Sequence, residues 1–184
     1  ILSMIDDIRY SKYSKQDREY VTTYYIGGNP GVGKSYYVRS LYKDNNGLYN
    51  DVYIVSDYKY PFDNYRGERV IVFEEYRASI NYNQLLMYLD PYVCQLPARY
   101  NNKYACWDTV YILSNLDLSE QYNHLTKRQL MPLYRRIDYA VWIDEYGIIE
   151  NVMNNNEILD KMTEEVINNA RNSFNKGYYT FYYT

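Results

Sequence analysis

The sequence predicts an α/β fold, one domain built around a central, mainly parallel, five-stranded sheet. Three observations carry that prediction. The stretch Gly28 to Ser35 (Gly-Asn-Pro-Gly-Val-Gly-Lys-Ser) is a full match to the phosphate-loop pattern G-x-x-x-x-G-K-[ST]. The β-branched and aromatic stretch Tyr20 to Ile26 precedes it, and Ser35 to Lys43 can continue as a helix after it. The third is Arg69 to Phe73, an apolar run ending in Glu74 and Glu75. A strand apolar on both faces is what a parallel sheet buries.

Composition bounds the rest. At 184 residues the chain can bury the core of one such domain. It holds no run of about 18 apolar residues, so no segment reads as a membrane-spanning helix, and no signal-peptide pattern opens it. The first residue is Ile, so the expectation is a piece of a longer protein. Twenty basic and 23 acidic residues give a net charge of −3, which argues against a surface coated for duplex DNA while leaving room for a local basic site. Cys94 and Cys106 lack metal-site spacing and suggest free thiols in a reducing compartment, with a disulfide between them left open. His124 is the single histidine, so chemistry needing a histidine pair is excluded. Tyrosine is the compositional outlier, with 28 copies, many of them expected in strands and core.

Taken in order, residues 1–19 read as a linker or truncated helix from a preceding domain, with apolar positions at Met4, Ile5 and Ile8. The core is expected over 20–150. In the phosphate loop, Gly28, Asn29, Pro30, Gly31, Val32 and Gly33 offer backbone N–H groups, with Tyr36 just beyond. Lys34 suits the β- and γ-phosphates and the Ser35 hydroxyl a magnesium ion. Asp51 to Ser56 is a second strand and Tyr60 to Gly67 a loop. Of the two acids, Glu74 suits metal binding through water, and Glu75 polarisation of an attacking water; solvated strand-end carboxylates are the plainer alternative.

Tyr82 to Asp90 is amphipathic and helical, stopped by Pro91. Leu96 to Ala105 suggests a hairpin tipped by Asn101 and Asn102, with Arg99 and Lys103 among tyrosines. That mixture suits a single nucleic-acid strand, though on its own an ordinary exposed hairpin is the favoured alternative. Thr109 to Asn115 is another buried strand, whose terminal Asn115 can orient a water or simply end the strand. Thr126 to Arg135 is helical and leads through Arg135 and Arg136 to a strand at Tyr139 to Ile143. The paired arginines are surface charges or a finger reaching a neighbour's γ-phosphate. Residues 151–184 are expected as a C-terminal helix and tail of the same domain. The helix covers Asn155 to Phe174, with apolar positions at Ile158, Leu159, Met162, Val166 and Ile167, and Tyr178 to Thr184 is a last strand or has no regular structure.

The order of these pieces resembles a superfamily 3 helicase domain, a compact branch of the AAA+ ATPases. Within that group it is most similar to the ATPase domain of rolling-circle replication initiators (Rep proteins) of circular single-stranded DNA viruses and related bacterial plasmids. The resemblance runs from about Tyr20 to Trp142 and includes Phe62 to Gly67, Tyr82 to Leu86 and Leu133 to Ile137. It implies a P-loop AAA+ three-layer fold using ATP and Mg2+. It also implies Lys34 and Ser35 as the Walker A pair, Glu74 and Glu75 at the Walker B position and Asn115 as sensor 1. Lys103 falls at the hairpin lysine that grips single-stranded DNA, and Arg136 is the finger, with Arg135 as fallback.

Partners implied by the resemblance are single-stranded DNA, further copies forming a hexameric ring that moves 3′ to 5′, and the N-terminal endonuclease of the full-length protein. No nicking activity is assigned to this chain. The tyrosine and asparagine bias favours a plasmid in bacterial cytoplasm, with the host nucleus as the viral alternative. Three other readings compete: a ring-assembly module with little unwinding, a P-loop kinase, and the superfamily 3 ATPase of picorna-like RNA viruses. The kinase is disfavoured because Arg135 and Arg136 sit on a helix-to-strand turn. The last lacks its cysteine-rich zinc site and membrane-binding helix here.

Overall fold

The computed structural model describes residues 2–146, 149–161 and 164. Its centre is β1 (Thr22–Gly28), which pairs in parallel with β6 (Thr109–Ser114) on one side and β7 (Tyr139–Ile143) on the other. With β2 (Val52–Val55), β3 (Val70–Phe73) and β8 (Ile149–Asn154) the sheet order is β2-β3-β6-β1-β7-β8. All neighbours are parallel except β7 and β8.

The sheet therefore has six strands rather than the expected five. The five parallel strands coincide with the five apolar runs. The sixth returns antiparallel at the edge because the five-residue connection after Ile143 is too short for the crossover that a parallel strand needs. Its Glu150, Asn151 and Asn154 also break the apolar run that marks an interior strand.

Among the described residues the two faces of the sheet are covered unequally. One face carries α3 (Tyr82–Leu89), α4 (Lys127–Tyr134) and, more peripherally, α1 (Leu2–Tyr13). Leu85, Leu89, Leu130 and Leu133 pack there on Val55, Ile71, Phe73 and Ile112. Trp107 is fully buried in this layer, donates its indole N–H to Tyr88 O at 2.9 Å, and has Phe62 stacked beside it and Tyr65 edge-on. Much of the unusual tyrosine content is accounted for by this layer: Tyr25, Tyr65, Tyr76, Tyr88, Tyr122 and Tyr134 are all buried. The opposite face is covered by α2 (Lys34–Leu41), through Val38, over Ile26, Val72, Tyr111 and Leu113.

The N-terminal segment packs on the domain. Arg9 forms a two-toothed ion pair with Asp51 (2.5 and 2.9 Å), and Tyr10 donates to Tyr65 O. The buried Arg18 donates to Trp107 O and Asp90 O while lying over the Trp107 ring. A two-stranded hairpin, β4 (Gln95–Leu96) with β5 (Lys103–Tyr104), forms where the sequence suggested one. Residues 155–161 are helical, with Ile158 buried; the rest of the expected C-terminal helix and the tail lie outside the described residues.

Candidate functional site

Parallel pairing brings the ends of β1, β3 and β6 out at one edge of the sheet, so Gly28, Glu74 and Asn115 emerge together. The loop after β1 turns through Gly31 (φ 84) and Gly33 (φ 92), both in the left-handed region that favours glycine. A Cβ on either would meet nothing within 4 Å, so the loop is an open cradle ahead of the α2 N-terminus.

Lys34 is 92% buried by accessible surface (8% exposed), yet every proton of its ammonium has a partner. It donates to Gly28 O at 2.6 Å, Asn29 O at 2.8 Å and Asn115 Oδ1 at 2.8 Å. Burial lowers its pKa, and the Glu75 carboxylate acts in the opposite direction. Residues separated by 81 positions thus meet in one cavity of about 260 Å³, lined by Gly31, Gly33, Lys34, Ser35, Glu75 and Asn115, with Pro30 and Tyr36 at its margin. Asn29 contributes its carbonyl to Lys34, and Val32 faces away from this cavity.

The two acids diverge. Glu75 is exposed, lines the cavity and has φ 47, a strained conformation for a non-glycine residue. Glu74 is buried and lies toward α2, where Arg39 grips both of its oxygens (Nε to Oε1 2.9 Å, Nη2 to Oε2 2.7 Å). This pair raises the Arg39 pKa further. Both Glu74 oxygens are engaged by Arg39, whereas Ser35 and Glu75 line the cavity. Among the described residues no three His, Cys, Asp or Glu side chains cluster as a self-sufficient metal site. The donors therefore fit a hard cation held jointly with phosphate oxygens and water, in the manner of magnesium.

The segments behind Glu75 and Asn115 are tied by a polar network that the sequence did not signal. Gln121 is 1% exposed. The two protons of its amide serve Tyr25 Oη (2.8 Å) and Ser114 Oγ (2.9 Å), one of them shared with Tyr76 O at a longer 3.3 Å, and its carbonyl accepts from Ala78 N (2.7 Å). Ser114 donates to Tyr76 O, and the Tyr76 and Tyr122 hydroxyls bond each other. One side chain thus joins β1, the turn after β3 and the end of β6. A Gln seven residues after a strand carries no motif that announces this.

The paired arginines lie at the opposite edge of the sheet. Asp138, just before β7, exchanges hydrogen bonds with Thr23 at the start of β1. Seven β1 residues separate that edge from the phosphate loop, about 20 Å at ~3.3 Å per residue. Arg136 is anchored there, clamping Asp90 at 2.8 Å twice and donating to Pro132 O. Arg135 is exposed, and its side chain bonds to no described residue. On the hairpin, Lys103 donates to Asp63 O (2.5 Å) and Tyr65 O (2.8 Å), and burial lowers its pKa. Arg99 pairs with Asp63 at 2.6 Å and lies 3.8 Å above the Tyr60 ring, with the exposed Tyr100 next to it.

No family model matches the chain, and no curated protein matches it either.

Proposed function

We propose that this chain is an ATP-hydrolysing motor of the superfamily 3 helicase kind, on a P-loop AAA+ fold. In this reading it works as a ring, hexameric by resemblance, on single-stranded DNA within a rolling-circle replication initiator. The observation that carries the reading is the meeting of Lys34, Ser35, Glu75 and Asn115 in one cavity at the carboxyl ends of parallel strands.

The loop amides and Lys34 hold the triphosphate, exchanging the Gly28 and Asn29 carbonyls for phosphate oxygens. Asn115 orients a water, and Glu75 accepts its proton as the water oxygen attacks the γ-phosphorus. The bond to the bridging oxygen breaks, leaving ADP and phosphate. A magnesium ion bound beside Ser35 would supply neutralising charge for the phosphate oxygens. Beyond Lys34, the developing charge would take a second cation, and no arginine is among the residues that line the cavity. Arg135, exposed and about 20 Å away, is the group free to serve a neighbouring subunit, whereas Arg136 is held by Asp90. Arg99 and Tyr100 are the hairpin groups presented to a strand; Lys103 would first have to leave its carbonyls.

That last point favours one second reading, an ATP-dependent ring-assembly module with little unwinding. Phosphate release across protein concentrations, with and without single-stranded DNA, separates the readings. A motor gives activity that rises faster than linearly with protein and is stimulated by the strand. Activity indifferent to DNA supports the assembly module, and a wild type without ATP turnover, or a Lys34→Ala variant that retains it, overturns both.

A further inference from the structure

The connection between β2 and β3 reaches both the catalytic turn and the hairpin. Near its start Tyr58 donates to Glu74 O at 2.6 Å, with its ring stacked on Phe73 (6.5 Å) and edge-on to Tyr76 (5.9 Å). That carbonyl belongs to the peptide joining Glu74 to Glu75. The Tyr58 hydroxyl therefore helps fix the peptide plane from which Glu75 takes its φ of 47.

A few residues on, the same connection holds both cations of the hairpin. Asp63 Oδ2 accepts from Arg99 Nε at 2.6 Å, and Asp63 Oδ1 from Arg99 N at 3.2 Å. The carbonyls of Asp63 and Tyr65 take Lys103 Nζ at 2.5 and 2.8 Å. Between these two ends the chain has little slack. Phe62 and Tyr65 are fully buried, and Pro61 O accepts from Tyr53 Oη at 2.8 Å. A short segment packed in this way passes a shift at one end to the other instead of absorbing it.

We propose that residues 58–65 couple the phosphate cavity to the hairpin within one subunit, with Tyr58 and Asp63 as positioning residues at the two ends. The proposal rests on the reading of the cavity as an ATP site and of the hairpin as the element that meets a single strand. A phosphodiester backbone takes Arg99 and Lys103 only by displacing the Asp63 carboxylate and the two carbonyls. Their loss frees the segment and, through Tyr58, the Glu74–Glu75 peptide. A nucleotide that resets Glu75 acts along the same path in reverse, because such a linkage is reciprocal.

Fluorescence anisotropy of a labelled oligothymidine, with and without Mg2+ and the non-hydrolysable analogue AMP-PNP, reads the coupling as a ratio of two dissociation constants. Wild type should give a ratio at least about five-fold away from one. Tyr58→Phe removes only the hydroxyl. It should bring the ratio within about two-fold of one while binding AMP-PNP and sedimenting like wild type. Asp63→Asn should bind the oligothymidine about 2–5-fold tighter without nucleotide, the scale of a partly exposed ion pair. Asp57→Asn is the control for charge alone, since its carboxylate accepts from Lys59 N on the same connection, and it should leave that affinity unchanged. A Tyr58→Phe variant with the wild-type ratio overturns the proposal, as does an Asp63→Asn variant that binds no tighter than Asp57→Asn. A wild type that binds both ligands with a ratio of one overturns it too, and leaves the ATP and strand readings standing. Failure of wild type to bind AMP-PNP or the oligothymidine overturns those readings themselves, and the coupling with them.

Discussion

Trp107 and Val141 lie on opposite faces of the same sheet. Trp107 has no exposed surface and is wrapped by Phe62, Tyr65 and Tyr88 beneath α1, α3 and α4. Val141 lines a groove beside α2, the one helix that covers this face among the described residues. The first face holds most of the buried apolar residues and so most of the hydrophobic stabilisation. The second face, with the strand ends above it, keeps the glycine loop, the strained Glu75 and the unfilled volume. Stability and ligand chemistry are thus partitioned between faces, and substitutions should separate them.

The largest expected effect is on the thick face. Trp107→Ala should cost about 3–5 kcal/mol, as large aromatic truncations in closed cores do, read as a lower midpoint in urea. Lys34→Ala is the mirror image: binding of ATP should fall by about 100-fold or more, while the midpoint moves less than in Trp107→Ala, because removing a desolvated ammonium offsets part of the cost of its three lost hydrogen bonds. A midpoint drop as large as that of Trp107→Ala would break the partition.

Gln121→Leu should sit between the two classes, because it cuts the network that joins the core to the site. Its buried partners Tyr25, Ser114 and Ala78 lose a bond, costing about 1–3 kcal/mol. The kcat for ATP should fall while KM holds, since Glu75 and Asn115 are displaced and the loop is not. A fall in stability with kcat unchanged would make Gln121 purely structural.

The thiols give a pH signature for the thick face. Burial pushes Cys106 up to about 12 from an ordinary 9.0, and Cys94 is raised too. Above pH 9 the unfolded thiol ionises while the folded one stays protonated, so the native state binds more protons and stability falls as pH rises. Between pH 9 and 10 we expect Cys106 to contribute roughly 1 kcal/mol of the decline. Tyrosines such as Tyr58, Tyr76 and Tyr111, raised by burial too, add to it in the same direction, so Cys106→Ala should make the slope shallower without abolishing it. The smallest effect belongs to Arg39→Gln. Freeing Glu74 from its clamp should lower the Mg2+ needed for half-maximal turnover by about 2–5-fold, the scale of a partly exposed ion pair. An increased Mg2+ requirement would instead mean that Arg39 positions Glu74 for the metal.

What could be read in advance follows the same division. Apolar runs located all five parallel strands, and the glycine-lysine pattern located the cavity, because both signals are local in sequence. β8 escaped because an edge strand needs no apolar run. The Arg39–Glu74 clamp, the Gln121 network and the carbonyl partners of Lys103 escaped for another reason: each depends on how segments at least 35 residues apart come into register. The clamp of Arg136 on Asp90 likewise joins residues 46 positions apart, with Asp90 on the helix cap of α3.

The central claim is that a cavity holding Lys34, Ser35, Glu75 and Asn115 draws a second cation from another copy. Mixing two variants, Lys34→Ala and Arg135→Ala, tests it most directly. Each alone should release almost no phosphate from ATP. Mixed, some junctions pair an intact loop with an intact arginine, and activity should return in part and rise with total concentration. Two inactive variants that stay inactive when mixed, or an Arg135→Ala variant as active as wild type, would contradict the account.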